Sequence, residues 1–315
     1  MLKNQKDVLK LVEVAKMYYE QELTQADIAS ALGVSRPLIS NMLHRAKELG
    51  IVNIEIRSPL RSDKELFNRL KKRYGLVDGL IIPANRNNLD FSLRNVVSQA
   101  ALFVEKKLAN CQRIGLGWGN TVSQLINLFH VDLIGMDNQR VACPLIGSMT
   151  SPSSDWHPNE LARRLTERIG GQTVWLHAPA FPGTKENYKN FQVTEEFQYI
   201  YKCWQKLDIA LVEIEAYPSV PDQATAIRFG FALNTKQAVG GLLSYFYDIS
   251  GKIIEGKNDY VIRIPLDFLR KVKRIFLICS GNTKVQALLG ALKMDIVTHL
   301  VTDDITANTM LELEP

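Results

Sequence analysis

Residues 113–121, Arg-Ile-Gly-Leu-Gly-Trp-Gly-Asn-Thr, run from an apolar stretch through three alternating glycines into helical spacing from Thr121 onward. A strand that turns through glycine into a helix is one half of a βα unit, and the same change of period recurs along most of the chain. Upstream stand GLIIP (79–83) and a helical stretch around 91–109. Downstream come VACPLIG (141–147), a helix from Asn159, TVWLHAPA (173–180), a helix near 194–206, DIALVEI (208–214) and YVIRIP (260–265), then RIFLICSG (274–281), a helix from Lys284 and THLVTDD (298–304). Strands alternating with helices predict a parallel, doubly wound, Rossmann-like α/β sheet over residues 76–315. Ligands of such sheets bind at the carboxyl ends of strands, near the point where strand order reverses.

The first 50 residues have a different character and read as helices throughout. Ile51 to Ile56 then alternate as a strand would, and Pro59 breaks the pattern. Gln25, Ala29, Gly33 and Ile39 fall at helix-turn-helix offsets: Ala29 is small where two helices cross, Gly33 permits the turn, and Ile39 locks the second helix inward. Thr24 is placed to cap the first helix and Ser35 the second, with Pro37 in its first turn, where a missing N–H costs little. Ile39, Leu43 and Ala46 then face inward and leave Arg36, Ser40, Asn41, His44 and Arg45 outside. With Gln25 and Ser35, these are the candidate DNA-binding residues. Arginine reads guanine and asparagine reads adenine through paired hydrogen bonds, while Ser40 and Lys47 suit phosphates. An ordinary solvated helical hairpin is the plainer alternative, and the joint occurrence of the capped turn and the outward polar set argues against it. Leu9, Val12, Ala15 and Tyr19 form the stripe expected to support the pair. Residues 1–57 are thus read as a DNA-binding domain and 58–75 as a linker helix. In the linker, Ser62-Asp63-Lys64-Glu65 reads as a capping box, with Leu66, Leu70 and Tyr74 on one stripe.

Composition sets the outer limits. Hydrophobic residues at 46% and charged ones at 23% describe a globular chain, and no apolar run reaches the ~20 residues of a membrane span. The N-terminus is too polar for a signal peptide, so a cytoplasmic protein is expected. Cys111, Cys143, Cys203 and Cys279 form no CxxC pair and the five histidines show no ligand spacing, so neither a metal nor a cofactor is called for. A net charge of +5 permits a nucleic-acid partner without arguing for one.

In the larger domain, Gly117, Gly119, Asn120 and Thr121 lie where backbone N–H groups at a helix N-terminus can meet an anion such as a phosphate. Tight turns require glycine in any case. A Walker loop is excluded because no Gly-Lys-Ser/Thr follows. Gly281, Asn282 and Lys284 close another strand, and a lysine in a first helical turn, where cations are disfavoured, tilts the reading toward a ligand. Glu213, Glu215 and Asp248 fall at or near strand ends, where carboxylates can accept from sugar hydroxyls or simply face water.

These segments together resemble the SorC family of sugar-operon regulators: AKMYYEQELTQADIASALGVSRPLISNMLHRAKELGIVNIEI (15–56), IGLGWGNTVSQL (114–125), PLIGSM (144–149), DIALVEIEA (208–216), GGLLSYFYDISGKI (240–253), and CSGNTKVQALLGAL (279–292) followed by LVTDDITA (300–307). The resemblance implies an effector domain related to sugar-phosphate isomerases, a DNA-bound tetramer, and a sugar or sugar phosphate, such as sorbose or its phosphate, as effector. It adds Gly147 and Ser148 to the effector residues. Two departures stand out. The family's DIALVGIG run carries Glu213 and Glu215 in place of glycines, and Ile146 stands where some members have a lysine, which argues against a Schiff base there. The function expected is a sequence-specific, sugar-controlled transcription regulator. The alternative is a sugar-phosphate isomerase-like enzyme with an appended DNA-binding domain, which would need a positioned base that no residue supplies clearly.

Overall fold

The computed structural model describes residues 5–52, 62–86, 88–130, 137, 139–149, 154–218 and 223–313. It divides into two compact units, residues 1–59 and 60–315.

The first unit contains α1 (Gln5–Tyr19), α2 (Gln25–Leu32) and α3 (Arg36–Glu48). Thr24 opens α2 with a reciprocal capping box: its hydroxyl accepts from the Asp27 N–H at 3.2 Å, and the Asp27 carboxylate accepts from the Thr24 N–H. Gly33 ends α2 in the left-handed conformation at φ 64°, which licenses the tight turn into α3. Ser35 holds the N-cap position of α3, but its side chain makes no capping bond. Thr24→Ala is therefore expected to cost the first unit about 1 kcal/mol, while Ser35→Ala costs a few tenths at most. Denaturant unfolding of the two variants, followed by helical circular dichroism, checks the contrast. The core is Leu11, Val14, Ala15, Ile28, Ala29, Ile39, Leu43 and Ala46. On α1 the buried stripe thus runs through Leu11, Val14 and Ala15, and Leu9, expected inside, is 66% exposed. After α3 the N–H of Gly50 returns to the Lys47 carbonyl and that of Ile51 to the Ala46 carbonyl, a Schellman closure that folds Ile51 onto Ala46. Ile51 and Val52 are therefore not in a strand; the rest of the expected strand, 53–56, and Pro59 lie outside the described residues.

In the second unit, α4 (Lys64–Tyr74) is capped by Asp63, which accepts from the Leu66 N–H at 2.9 Å, one residue later than the expected box. Ser62 instead accepts from the N–H of Ile81. The helix read as a linker buries Leu66, Phe67 and Leu70 in the core of this unit, against β1 (Asp78–Ile82) and the C-terminal helix. Its amphipathic stripe is a core face.

Beyond β1 the chain runs through α5 (Leu89–Leu108), β2 (Arg113–Leu116), α6 (Asn120–Leu128), β3 (Val141–Pro144), α7 (Pro158–Ile169) and β4 (Gln172–Thr173). It continues through α8 (Lys185–Gln192), α9 (Glu195–Trp204), β5 (Ile209–Val212) and β6 (Ile214–Ala216), then α10 (Gln223–Phe229), α11 (Ala232–Thr235), β7 (Ala238–Leu242), β8 (Tyr245–Asp248) and α12 (Leu266–Leu269). The last elements are β9 (Arg274–Ile278), α13 (Val285–Lys293), β10 (His299–Asp303) and α14 (Asp304–Leu313). Seven strands pair in parallel in the order β1-β10-β9-β5-β2-β3-β4. Alternate residues enter different cores: Ile209 and Leu211 of β5 join the α5, α6 and α7 side, Ala210 and Val212 the opposite side. Burial on both faces produces the continuous apolar runs seen in the sequence. The chain leaves β2 toward β3 and β4 but leaves β5 toward β9 and β10, so strand order reverses between β2 and β5.

Three expected strands are different. Of TVWLHAPA only Thr173 lies in a strand, and beyond it a single bridge joins Pro179 to Ser148. YVIRIP contributes one bridge, Arg263 to Ile146. DIALVEI splits at Glu213 into β5 of the large sheet and β6 of a separate antiparallel sheet, β6-β7-β8, whose hairpin sequence patterning did not predict.

His299 opens β10 nearly sealed from solvent (3% exposed), its ring 4.4 Å from that of Phe276. Burial, aided by Lys107 and Arg274 against the opposing pull of Asp78, pushes its pKa down to about 4. The unfolded chain takes up this proton near pH 6.5 and the folded one only near 4. The contribution, up to about 3 kcal/mol, is thus fully present above pH 6.5 and is lost as pH falls toward 4. His299→Phe should flatten this part of the decline in melting temperature between pH 7 and 4.

Candidate functional site

On α3, Arg36, Ser40, Asn41, His44 and Arg45 are all exposed, as is Ser35 before it, while Gln25 at the start of α2 is half-buried. Ile39, Leu43 and Ala46 anchor the opposite face. His44 lies 3.3 Å from Glu48, one turn on, and the Lys47 ammonium sits 5.9 Å over the ring of Tyr19. The outward set is thus presented on a helix whose opposite face is apolar and buried, as a groove-reading helix requires.

The second cluster forms at the topological switch point. β2 delivers the loop Gly117–Asn120, β5 delivers Glu213, and β9 delivers Gly281–Lys284, all at strand carboxyl ends. Gly119 is the N-cap of α6, at φ 127°, and has no side chain to cap with. Glu213 takes that role from across the sheet. Its Oε2 accepts from the Thr121 N–H at 2.8 Å, and its Oε1 accepts from the Thr121 hydroxyl at 2.8 Å and from the Lys284 ammonium at 3.3 Å. A Cβ on Gly119 would lie 2.2 Å from Glu213 Oε2, so this glycine leaves the hollow that the carboxylate fills. Burial works against the charge of Lys284, but the negative groups around it, Glu213 foremost, together outweigh burial and hold the ammonium's pKa above its ordinary value. Glu215 accepts from the indole N–H of Trp118 at 2.9 Å, and Trp118 packs edge-on against Phe181.

The residues that shape the Gly281 turn escaped the sequence reading. The carboxylate of Asp303, last residue of β10, accepts from the Ser280 hydroxyl, the Gly281 N–H, and both the N–H and hydroxyl of Thr306. An acidic residue closing the apolar run THLVTD was the available signal. Asn120, in the first turn of α6, and Asn282, in the short 3-10 turn that leads into α13, stand open to solvent.

Three expected effector residues also have structural roles of their own. Gly147 is a close-approach position: its N–H donates to the Ile262 carbonyl, and a Cβ there would lie 2.7 Å from the Ala178 carbonyl oxygen. Ser148 exchanges backbone hydrogen bonds with Ala178 and Ala180. Asp248 accepts from the Ser250 N–H and hydroxyl and the Lys252 N–H of its own turn. In the hairpin register Asp248 faces Ala238, whereas Ile214, next to Glu213, pairs with Leu242, four residues along and roughly 13 Å away. The topology keeps Asp248 out of the cluster.

Among the described residues no group of acidic, histidine and cysteine side chains is arranged to hold a metal ion, and no helix is long and apolar enough to cross a membrane.

This two-unit architecture, with helix-turn-helix geometry in one unit and a switch-point cluster in the other, defines a ligand-controlled regulator class. The Sugar-bind family ("Putative sugar-binding domain") matches residues 58–312, and the chain belongs to it. The sorbitol operon regulator of Klebsiella pneumoniae is 29% identical over 99% of this chain and all of its own length. The deoxyribonucleoside regulator of Bacillus subtilis is 25% identical over 95% of this chain and 96% of its own. The crystal structure of the full-length Klebsiella regulator, SorC, superposes with a TM-score of 0.70 at 28% identity, covering 98% of this chain and 100% of that one. The resemblance to the SorC regulators thus holds along the whole chain, which is a transcription regulator and not an enzyme.

Proposed function

We propose that α3 reads an operator in the major groove and that the switch-point cluster binds the sugar-like effector that controls it. The observation that carries this reading is the convergence of Thr121, Glu213 and Lys284 from three strand ends at the reversal of strand order, the place where open α/β sheets hold ligands. The relatives' names concern a hexitol operon and deoxyribonucleosides, which fits a polyhydroxy effector here. One helix-turn-helix covers a single half-site, so the working form is a homo-oligomer, a tetramer in this reading, acting on cytoplasmic DNA. Fluorescence anisotropy on DNA from upstream of the gene, with and without a panel of hexitols, ketohexoses and their phosphates, tests the function. Salt-sensitive binding to a discrete fragment, altered by one of these compounds, is expected; binding indifferent to sequence and to every compound would overturn it. Light scattering tests the assembly, and a monomeric mass at micromolar concentration would contradict it.

A further inference from the structure

The groups that would hold an anion in this cluster are already in use. The Thr121 N–H, the Thr121 hydroxyl and the Lys284 ammonium all turn to one carboxylate, that of Glu213, whose side chain is 13% exposed. The space beside them, which Gly119 leaves by having no side chain, is filled by the same carboxylate. The other strand-end amide, that of Gly281, is committed to Asp303 and Thr306 at 3.2 and 2.9 Å. Glu215 and Asp303 add two more carboxylates nearby.

Resting on the reading of this cluster as the effector site, we propose that Glu213 sets its ligand chemistry: its carboxylate stands where an effector's phosphate would sit, so this end of the site takes an uncharged polyhydroxy group. A phosphate arriving here must bring its charge against Glu213 and compete for donors that a covalently tethered carboxylate holds at high effective concentration. A sugar or polyol hydroxyl meets neither obstacle. It donates to the outer lone pairs of Glu213 and can accept from Lys284, leaving the internal bonds in place. Glu213 thus acts as a built-in substitute for the anion, closing the N-terminus of α6 whether or not effector is bound.

The test uses the full chain in four forms: the parent, Glu213→Gly, Glu213→Gln, and Glu213→Gly combined with Thr121→Val and Lys284→Met. Thermal unfolding is followed against inorganic phosphate at ionic strength held constant with chloride, the combined variant giving the nonspecific baseline. The parent is expected to follow that baseline. Glu213→Gly should gain a saturable stabilisation, with phosphate bound about ten- to hundredfold more tightly than by the parent, and the combined variant should lose it. Glu213→Gln, which keeps the shape and removes the charge, should shift in the same direction and serves if the glycine variant does not fold. The proposal is overturned if the parent shows a saturable phosphate response, or if neither single variant gains one. A second arm offers free hexitols and ketohexoses beside their phosphates. The free compounds should stabilise the parent more than their phosphates do, and Glu213→Gly should reverse that order. If the phosphate arm succeeds while no sugar of either kind binds the parent, the proposed chemistry of the cradle stands and the effector-site reading fails instead.

Discussion

Replacing Asn41 and Arg45 together by alanine is expected to weaken operator binding by about 2–6 kcal/mol, roughly thirtyfold to more than ten-thousandfold. Both side chains are exposed on α3, while its inward face is held by Ile39, Leu43 and Ala46, each under 5% exposed. Truncating them removes base contacts without opening the core, so unfolding free energy should stay within about 0.5 kcal/mol of the parent. The two positions are neighbours one turn apart, and the double loss need not equal the sum of the single ones. Binding to unrelated DNA rests on phosphate contacts and should change far less, so the ratio of specific to nonspecific affinity is the quantity to measure. Anisotropy titrations of both DNAs at fixed salt check this. Unchanged specificity in a folded double variant would show that another element reads the operator.

How much of this was legible in the sequence varied with the range of the interactions involved. The helix-turn-helix is fixed by chemistry within a few residues, the Thr24–Asp27 box and the left-handed Gly33, and could be read directly. The parallel strands were legible because burial on both faces leaves unbroken apolar runs. The same logic overread TVWLHAPA, where Val174, Leu176, Ala178 and Ala180 alternate inward as in a strand although the chain has left the sheet. The β7–β8 hairpin was invisible for the opposite reason. Its two-residue turn is Leu243-Ser244, at φ 49° and 63°, where asparagine and glycine are the usual signal. At the site, the glycine turns and a strand-end carboxylate could be picked out singly. That Glu213 would reach Thr121, 92 residues away, and Lys284, 71 residues away, is a property of strand order, which local patterning does not carry.

A second large effect is expected at the Leu243-Ser244 turn, which packs on the glycine loop of the switch-point cluster: a Cβ on Gly117 would lie 3.1 Å from Leu243. What secures the turn is an ion network. Arg263 donates to the Ser244 carbonyl and, at 2.9 Å, to Asp259, while Arg228 donates to the Ser244 hydroxyl at 3.0 Å and to the other oxygen of Asp259 at 3.0 Å. Both guanidinium groups are nearly buried, 5% and 8% exposed, and stack on aromatic faces, Arg228 on Phe181 and Phe229 and Arg263 on Tyr245. Among the described residues the Asp259 carboxylate thus meets both desolvated cations. Asp259→Ala is expected to destabilise the second unit by about 3–5 kcal/mol, because the cost of the buried charges remains when their counter-ion is gone. Asp259→Asn, which keeps an acceptor, should cost less. Urea unfolding followed by tryptophan fluorescence gives the magnitudes, and a loss under about 1 kcal/mol for the alanine variant would show that the arginines are held by their other partners. The network grips the turn that packs on Gly117, and Phe181 joins Arg228 to Trp118, so the loosened variant should also bind effector more weakly at temperatures where it is still folded. Its ligand-free affinity for DNA should stay near the parent value, because a ligand shifts the DNA equilibrium only through its own differential affinity for the two states.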